Sequence, residues 1–377
     1  YGKGMKQITV VTIRVIKKMR FSLMICLTLS YTLLITGILL PTLFYRKTGG
    51  IMKKVCTSIA IMTVLIFIGI EILTSSKYIM ESVSFSFKIW QENIFPSLFP
   101  FFVLSEILTQ YGFIELVGEL MRPLMQSLFR IKGECAFIFI MSIISGFPSN
   151  AKYTRELYLN GTISEREASK VLTFTHFSNP LFIMGTVALL FLNNKEVGLL
   201  ILLCHYSTNI IIGLIFRDYA PSEKDHTKIS LKRAILKMHE KRIHNHSSFG
   251  KIITNSLQNA IQTLLLILGV VTMFLVITTM IDQNLNIDSY HQSILNGFIE
   301  MTQGLKYVSL LDIPLKFKST ITAMILSFGG LSVHMQMIGI LSDTKIKYLP
   351  FFTARLLHAS IASFLVYFLF DYWSLLI

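Results

Sequence analysis

The chain has 377 residues, of which 53% are hydrophobic and only 15% are charged, and its mean hydropathy is +0.61. Soluble domains carry about a quarter charged residues, so this composition excludes an ordinary globular enzyme. The net charge of +14 is concentrated beside apolar segments, with +8 in residues 1–51 and +5 in residues 217–251. This placement follows the positive-inside rule of membrane proteins and argues against a nucleic-acid partner.

The first 51 residues contain no Asp or Glu and allow two interpretations. Residues 21–45 lack charge and are flanked by arginines, a pattern typical of a first membrane span. Alternatively, codons for Gly49 and Gly50 would read as a bacterial ribosome-binding site just before a start codon at Met52. Residues 1–51 are therefore predicted to be either an extra helix or an extension outside the natural protein.

Residues 52–216 are predicted to form a first membrane half with several irregular helices. Residues 55–73 and 93–110 predict two spans, and Pro96 and Pro100 predict a bend in the second. Residues 112–132 are amphipathic and are expected to lie at the membrane interface. The apolar run 135–147 is too short to cross a bilayer.

Residues 217–251 form the one extended hydrophilic segment, which its basic excess predicts to be cytoplasmic. Within it, His239 and His244 superficially resemble a zinc motif, but a spacing of five residues places the two rings on different faces of a helix. The four cysteines are far apart and show no metal-binding or disulfide pattern. No metal and no cofactor are predicted.

Residues 252–377 are predicted to form a second membrane half that repeats the first. Gly112–Glu115 recurs as Gly297–Glu300, 185 positions later, and Gly146 has a counterpart in Gly330, 184 positions later. Corresponding helix breaks in two halves are typical of secondary transporters, whose broken helices meet near the midplane. The predicted fold is an all-α polytopic membrane protein with two repeat-related halves of inverted topology and broken or re-entrant helices.

Polar groups cluster at these breaks and are the candidate substrate-binding residues. A helix that starts at a break exposes N–H groups that attract an anion, and ionisable groups inside spans are costly unless they function. The candidates are Ser145, Gly146, Phe147, Pro148, Ser149, Asn150, Lys152, His176, Ser178, Asn179, Gly329, Gly330, Ser332, His334 and Arg355. Structural alternatives remain for several of them, since Arg355 would also snorkel to the interface, and Ser178 and Asn179 would also cap the following helix.

Four ordered motifs closely resemble the sporulation integral membrane proteins of the YlbJ type, also called SpoVV. They are Phe95–Phe101, Ser145–Lys152, Asn160-Gly161 with Ser164 and Glu165, and Thr175–Pro180. The resemblance extends from about Met52 to the carboxyl end and leaves residues 1–51 uncovered. This type is similar to the wider nucleoside-recognition, or gate-domain, group, which includes concentrative nucleoside transporters and the gates of ferrous-iron transporters.

The resemblance implies a membrane carrier that moves dipicolinate from the mother cell toward the forespore, located in the mother-cell-derived membrane around it. Alternatives are a carrier of nucleosides or other small metabolites, and a noncatalytic gate or assembly partner of another membrane complex. An enzyme is not expected, because no zinc-protease, nucleophile-elbow or Walker motif is present. Partners compatible with the sequence are the lipid bilayer, a small organic anion, a second copy and other sporulation membrane proteins.

Overall fold

A computed structural model describes residues 49–222, 229–244 and 247–376, and these ranges contain helices and no strand. The predicted span at residues 21–45 lies outside the described residues. The helices are α1 Gly49–Thr74, α2 Ser76–Ile89, α3 Phe95–Gln110, α4 Phe113–Leu124, α5 Cys135–Ser145, α6 Ser149–Leu159, α7 Glu165–Phe174, α8 Lys195–Ile215, α9 Leu231–His244, α10 Phe249–Asn284, α11 Ser289–Ile299, α12 Met301–Leu310, α13 Leu315–Phe328, α14 Gly330–Ile340 and α15 Tyr348–Leu376. Three π-helical segments, Trp90–Ile94, Met125–Phe129 and Phe182–Phe191, interrupt the series.

Four helical stretches within the described ranges are long and apolar enough to cross a membrane, and six if each of two bent helix pairs counts as one span. Helix α8 shows how such a span is built. It buries Leu200 and Cys204 against the protein, while Leu199 and Leu203 on its other face are exposed. A helix that is apolar all round and exposes leucines on one face is suited to lipid. The chain is a polytopic α-helical membrane protein.

The chain divides into two compact units at Met80–Glu81. In the first unit, Glu71 of α1 is buried and accepts a hydrogen bond from the Ser75 hydroxyl, 3.3 Å away. All features described below belong to the second unit. Its densest packing joins α13 to α15, α10 to α3, and α15 to α8.

Side chains next to the helix termini explain where several helices of the second unit begin. Ser164 and Glu167 form a reciprocal capping box at the start of α7, and the Asn194 side chain accepts the Val197 N–H at the start of α8. Ser248 and Asp288 cap α10 and α11 in the same way. Each cap satisfies N–H groups that would otherwise be orphaned, which stabilises the helix by roughly 1 kcal/mol.

The order of helices recurs in the second unit, but in a different register from the one that the sequence motifs predict. Helices α5 and α6 pack against each other, as do α11 and α12, and in each case one residue or a few separate the paired helices. Helix α5 begins at Cys135 and α11 at Ser289, 154 positions later; α8 begins at Lys195 and α15 at Tyr348, 153 positions later. The predicted offset of 184–185 is therefore wrong.

The cause of that error is visible at the matched motifs. Gly112 precedes the first residue of α4 with φ +79, whereas Gly297 lies inside α11 near its end. The tetrapeptide thus starts one helix and finishes another. Likewise, Gly146 ends the first arm of a helical pair, whereas Gly330 begins α14 inside the broken span α13–α14. Short matches in an apolar composition do not identify structural equivalence.

The basic segment 217–251 contains helix α9, which packs against α4. The carboxylate of Glu119 on α4 is 1% exposed and forms ion pairs with Arg122, Arg233 and Lys237. The polar side of the predicted interfacial helix is therefore covered by α9 rather than by solvent. Gly112 permits this close packing, because a Cβ at that position would lie 2.5 Å from the Met238 carbonyl oxygen.

Candidate functional site

The first break is the tip between α5 and α6. Gly146 adopts φ +75, and a Cβ at this position would lie 2.7 Å from the backbone nitrogen of Asn179. The Phe147 N–H donates to the Phe177 carbonyl at 2.7 Å, and the Asn179 side-chain amide donates to the Ser145 carbonyl at 3.3 Å. Only glycine permits this approach, so the tip and the segment 175–179 form one structure.

Helix α8 holds the segment 175–179 through two side chains. The Ser178 N–H donates to His205 Nε2 at 3.1 Å, and the Asn209 amide donates to the His176 carbonyl at 3.0 Å. Because His205 Nε2 accepts, a neutral ring carries its proton on Nδ1 and donates to Ser327 Oγ at 3.1 Å. His205 and Asn209 therefore support the first break and do not bond each other.

Arg355 of α15 is fully buried and supports the same segment. Its guanidinium donates to the Thr173 carbonyl at 2.6 Å, to the His176 carbonyl at 3.3 Å and to Asn209 Oδ1 at 3.3 Å. It also donates to His358 Nδ1 at 2.7 Å, so the other nitrogen of that ring donates to the His205 carbonyl at 3.0 Å. Arg355 thus does not reach the interface by snorkelling.

The second break comprises the tip between α11 and α12 and the junction of α13 and α14. Glu300 caps α12 by accepting the Gln303 N–H at 2.8 Å, and the Ser332 hydroxyl lies 3.5 Å from its other oxygen. Gly329 ends α13 with φ +90, and a Cβ on Gly330 would lie 2.9 Å from the Met301 nitrogen. The start of α14 therefore approaches the start of α12 as closely as two backbones allow.

A small cavity of about 50 Å³ lies between the two breaks. The first half contributes Phe147, Ser178 and Asn179 to its wall, and the second half contributes Glu300, Thr302 and Gln336 among others. Apolar side chains of two π-helical segments and of α3, α10, α12 and α14 complete the lining. They are Ile94, Phe182, Leu98, Ile267, Val271, Met301 and Val333. The two predicted breaks therefore meet at one small cavity whose mostly apolar wall carries a few polar groups.

The predicted site residues divide into two groups around this cavity. Phe147, Ser178 and Asn179 line it. The remaining candidates lie outside the lining: Ser145, Gly146, Pro148, Ser149, Asn150, Lys152, His176, Gly329, Gly330, Ser332, His334 and Arg355. Ser332 touches the cavity indirectly through Glu300, and His334 is held by the Tyr348 hydroxyl at 2.7 Å and the Phe328 carbonyl at 3.0 Å.

Three polar side chains near the first break are buried and have no hydrogen-bond partner. They are both side-chain atoms of Asn150, both ring nitrogens of His176 and the Ser178 hydroxyl. Each of these residues is at most 1% exposed, and the His176 ring stacks on Phe147 with centroids 4.9 Å apart. Unsatisfied buried polar groups are rare in proteins because each costs about 1–3 kcal/mol, so a bound molecule is a natural partner for them.

The cationic candidates are engaged away from the cavity. Lys152 Nζ lies 2.7 Å from the Glu106 carboxylate, so Glu106 is an ion-paired structural group. Arg155 donates to Asp343 at 2.8 Å, and Arg355 donates to backbone carbonyls as described above. The N–H groups of Ser149, Ala151 and Lys152 already donate to carbonyls at the tip, which leaves little of the start of α6 for an anion.

The sequence motifs did not indicate three of the lining residues, Glu300, Thr302 and Gln336. Glu300 belongs to the Gly297–Glu300 motif, which the sequence reasoning used only as a repeat landmark. A carboxyl group between two short helices of a membrane protein was itself a usable signal. In the described ranges, no group of three or more His, Cys, Asp or Glu side chains is arranged to hold a metal ion.

Broken helices that meet at a small cavity with a few polar groups define a polytopic membrane protein whose two breaks share one site. A family model described as "Gate: Nucleoside recognition" matches residues 92–195, which include the first break. The sporulation integral membrane protein YlbJ of Bacillus subtilis (strain 168) is 34% identical over 333 residues, covering 82% of each chain. The chain belongs to this family of sporulation integral membrane proteins. No solved structure shows significant similarity to it.

Proposed function

We propose that the protein is a secondary-type transporter of a small organic anion during sporulation, and that the anion is dipicolinate, moved from the mother cell toward the forespore. Its location would be the mother-cell-derived membrane around the forespore. The observation that carries the proposal is the cavity shared by the two breaks, where the Ser178 hydroxyl is buried without a partner. Sites at the meeting point of broken helices are where secondary transporters bind substrate.

The lining matches a planar ligand that carries hydrogen-bond acceptors. Phe147 and Phe182 offer aromatic faces, while Ser178 and Gln336 offer a hydroxyl and an amide donor. Such a combination of an apolar wall with a few polar groups is characteristic of small-molecule sites. Support from neutral donors alone is consistent with binding of a carboxylate, provided that the site is closed to water.

The volume of the cavity implies that this conformation is closed. Pockets that hold drug-sized ligands usually measure about 300–1,000 Å³, whereas this cavity measures about 50 Å³. Substrate entry therefore requires the two tips to separate. Gly146 and Gly330, whose close backbone contacts join the tips to their neighbours, lie where such movement would begin.

A nucleoside carrier is the second candidate, favoured by a cavity lining in which the described residues include no Lys or Arg. Hydroxyl, amide and carboxyl groups recognise a ribose as readily as they recognise a carboxylate. The third candidate, a gate or assembly partner for another complex, predicts binding to that complex and no transport by the purified protein.

Uptake of labelled dipicolinate by purified protein in liposomes tests the proposal, with labelled uridine as the competing substrate. Ser178→Ala should reduce dipicolinate uptake about tenfold, because one hydrogen bond to a charged group contributes about 1.5–3 kcal/mol. Ser342→Ala, at an exposed position after α14, is the matched control and should not change uptake. Uridine uptake without dipicolinate uptake would establish the second candidate, and no uptake of either would favour the third.

A further inference from the structure

We propose that Glu300 carries a proton that travels with the substrate, so that the protein is a proton-coupled symporter. This inference rests on the proposed transport of an organic anion and adds the coupling ion. It starts from the one ionisable side chain in the cavity lining, which is an acid and not a base.

Glu300 is buried without a countercharge. Its side chain is 1% exposed, and among the described residues no Lys, Arg or His lies within salt-bridge distance of the carboxyl group. One oxygen accepts the Gln303 N–H and the other lies 3.5 Å from the Ser332 hydroxyl, and the carboxyl group also accepts from the backbone and the hydroxyl of Thr302. These neutral donors satisfy the carboxyl group without supplying a positive charge, and the residue lines the cavity. A carboxylate buried this deeply is expensive unless a positive charge or a proton accompanies it, and the positive end of α12 compensates only about half a charge.

The titratable groups on the helices packed around Glu300 are engaged elsewhere. Asp282 of α10 accepts from Asn296 at 3.1 Å and from the Tyr307 hydroxyl at 3.2 Å. His334 of α14 is held by Tyr348 and Phe328, Lys306 of α12 lies over the Phe85 ring, and His291 of α11 pairs with Asp288 at the surface. His176, stacked on Phe147, is the remaining group near the cavity with free nitrogens.

A dicarboxylate bound at this site would place a second carboxylate next to Glu300. Two carboxylates in one enclosed site hold a single proton between them, because both cannot be charged at low dielectric. With the proton on the oxygen facing the cavity, Glu300 becomes a donor to one substrate carboxylate. The unpartnered Ser178 hydroxyl on the opposite half supplies a second donor. The proton is taken up on one side of the membrane and released with the substrate on the other.

Proteoliposomes that contain a pH-sensitive dye measure this coupling directly. An inward pH gradient, acidic outside, should drive accumulation of labelled dipicolinate by the wild-type protein, and uptake should acidify the lumen. Glu300→Gln should abolish gradient-driven accumulation and lumen acidification while retaining exchange of dipicolinate between equal concentrations. Glu300→Asp should keep the coupling, because it keeps a titratable carboxyl at the site.

Two further variants separate Glu300 from its rivals. Asp282→Asn removes a nearby half-buried carboxyl that lies outside the cavity lining and should leave coupling intact. His176→Gln tests the other titratable group near the cavity. Loss of lumen acidification in this variant, with retention of acidification in Glu300→Gln, would assign the proton to His176 and overturn the inference. Accumulation driven by a sodium gradient instead of a pH gradient would also overturn it.

Infrared difference spectroscopy tests the protonated carboxyl without any substrate. The wild-type protein should show a carbonyl stretch of a buried protonated carboxylic acid that Glu300→Gln lacks and Asp282→Asn retains. If the band is present and dipicolinate uptake is absent, the proposed substrate is wrong, whereas the assignment of the proton to Glu300 remains. If uptake is present and the band is absent, the proton site is wrong while the proposed function stands.

Discussion

Gly146 makes the closest contact between the tip of α5–α6 and the segment that carries Ser178. A Cβ added there would lie 2.7 Å from the Asn179 nitrogen and 3.3 Å from its Cα, and the residue adopts φ +75. Substitution with alanine therefore meets two separate costs. The positive φ, which at Gly146 is combined with ψ −173 and is almost exclusive to glycine, costs another residue about 1–3 kcal/mol. Displacing a backbone segment to relieve overpacking costs about 1–3 kcal/mol more.

Gly161 isolates the first of these costs. It also has a positive φ, +70, but no atom lies within 4 Å of an added Cβ. Gly161→Ala should therefore destabilise the protein by about 1–2 kcal/mol and Gly146→Ala by about 2–6 kcal/mol. The thermal midpoints of purified variants in one detergent should follow the order wild type, Gly161→Ala, Gly146→Ala.

The same pair separates stability from function. Movement of Asn179 displaces two lining residues, so Gly146→Ala should lower dipicolinate uptake in liposomes at matched protein amount, whereas Gly161→Ala should transport normally. Equal midpoints and equal uptake for the two variants would refute the close contact, and with it the joining of the tip to the segment 175–179.

Three other predictions concern charged groups that hold the helices together. Glu119→Gln removes the carboxylate that pairs with three cations, so limited proteolysis should cleave helix α9 more readily. Glu240→Gln, at an exposed position on α9, is the control and should not change cleavage. Arg355→Gln should lower the free energy of unfolding by about 3 kcal/mol or more, seen as a lower thermal midpoint. Arg355→Lys should recover only part of this loss, because lysine lacks the planar guanidinium that donates to two carbonyls at once. The Arg155 guanidinium donates to Asp343 and holds the pKa of that carboxyl group below its ordinary value. Wild type should therefore have a higher thermal midpoint than Asp343→Asn at pH 5. This difference should disappear only as the pH falls below about 4 and through the lowered pKa.

The positions of the helix breaks were predictable because their causes are local. Gly146 and Gly329 adopt positive φ, and Pro148 follows the first break directly. Such residues interrupt a helix whatever surrounds them, so they can be located from the sequence. The long apolar helices were equally accessible, because hydrophobic length alone indicates a span.

The pairing of charges was not predictable, because it depends on contacts between distant parts of the chain. Lys152 follows the first break and suggested an anion site, yet its partner is Glu106 on α3. Arg355 near the start of α15 suggested a substrate contact, yet it donates to Thr173 and His176 nearly two hundred residues earlier. A cation next to a break is attracted to any buried acceptor, and only the fold decides which acceptor is near.

In the proposed transport mechanism, the distribution of charge accounts for recognition of an anion at a cavity whose described lining contains no Lys or Arg. Lysine or arginine in the cavity would bind a dicarboxylate tightly in both open states and slow its release, whereas transport requires binding that is easily reversed. Here the cations stabilise the scaffold, and the cavity keeps neutral donors and one carboxyl group. The affinity of the site then depends on whether Glu300 is protonated, so a change of pH across the membrane changes affinity between the two sides. That difference is what allows a proton gradient to drive accumulation.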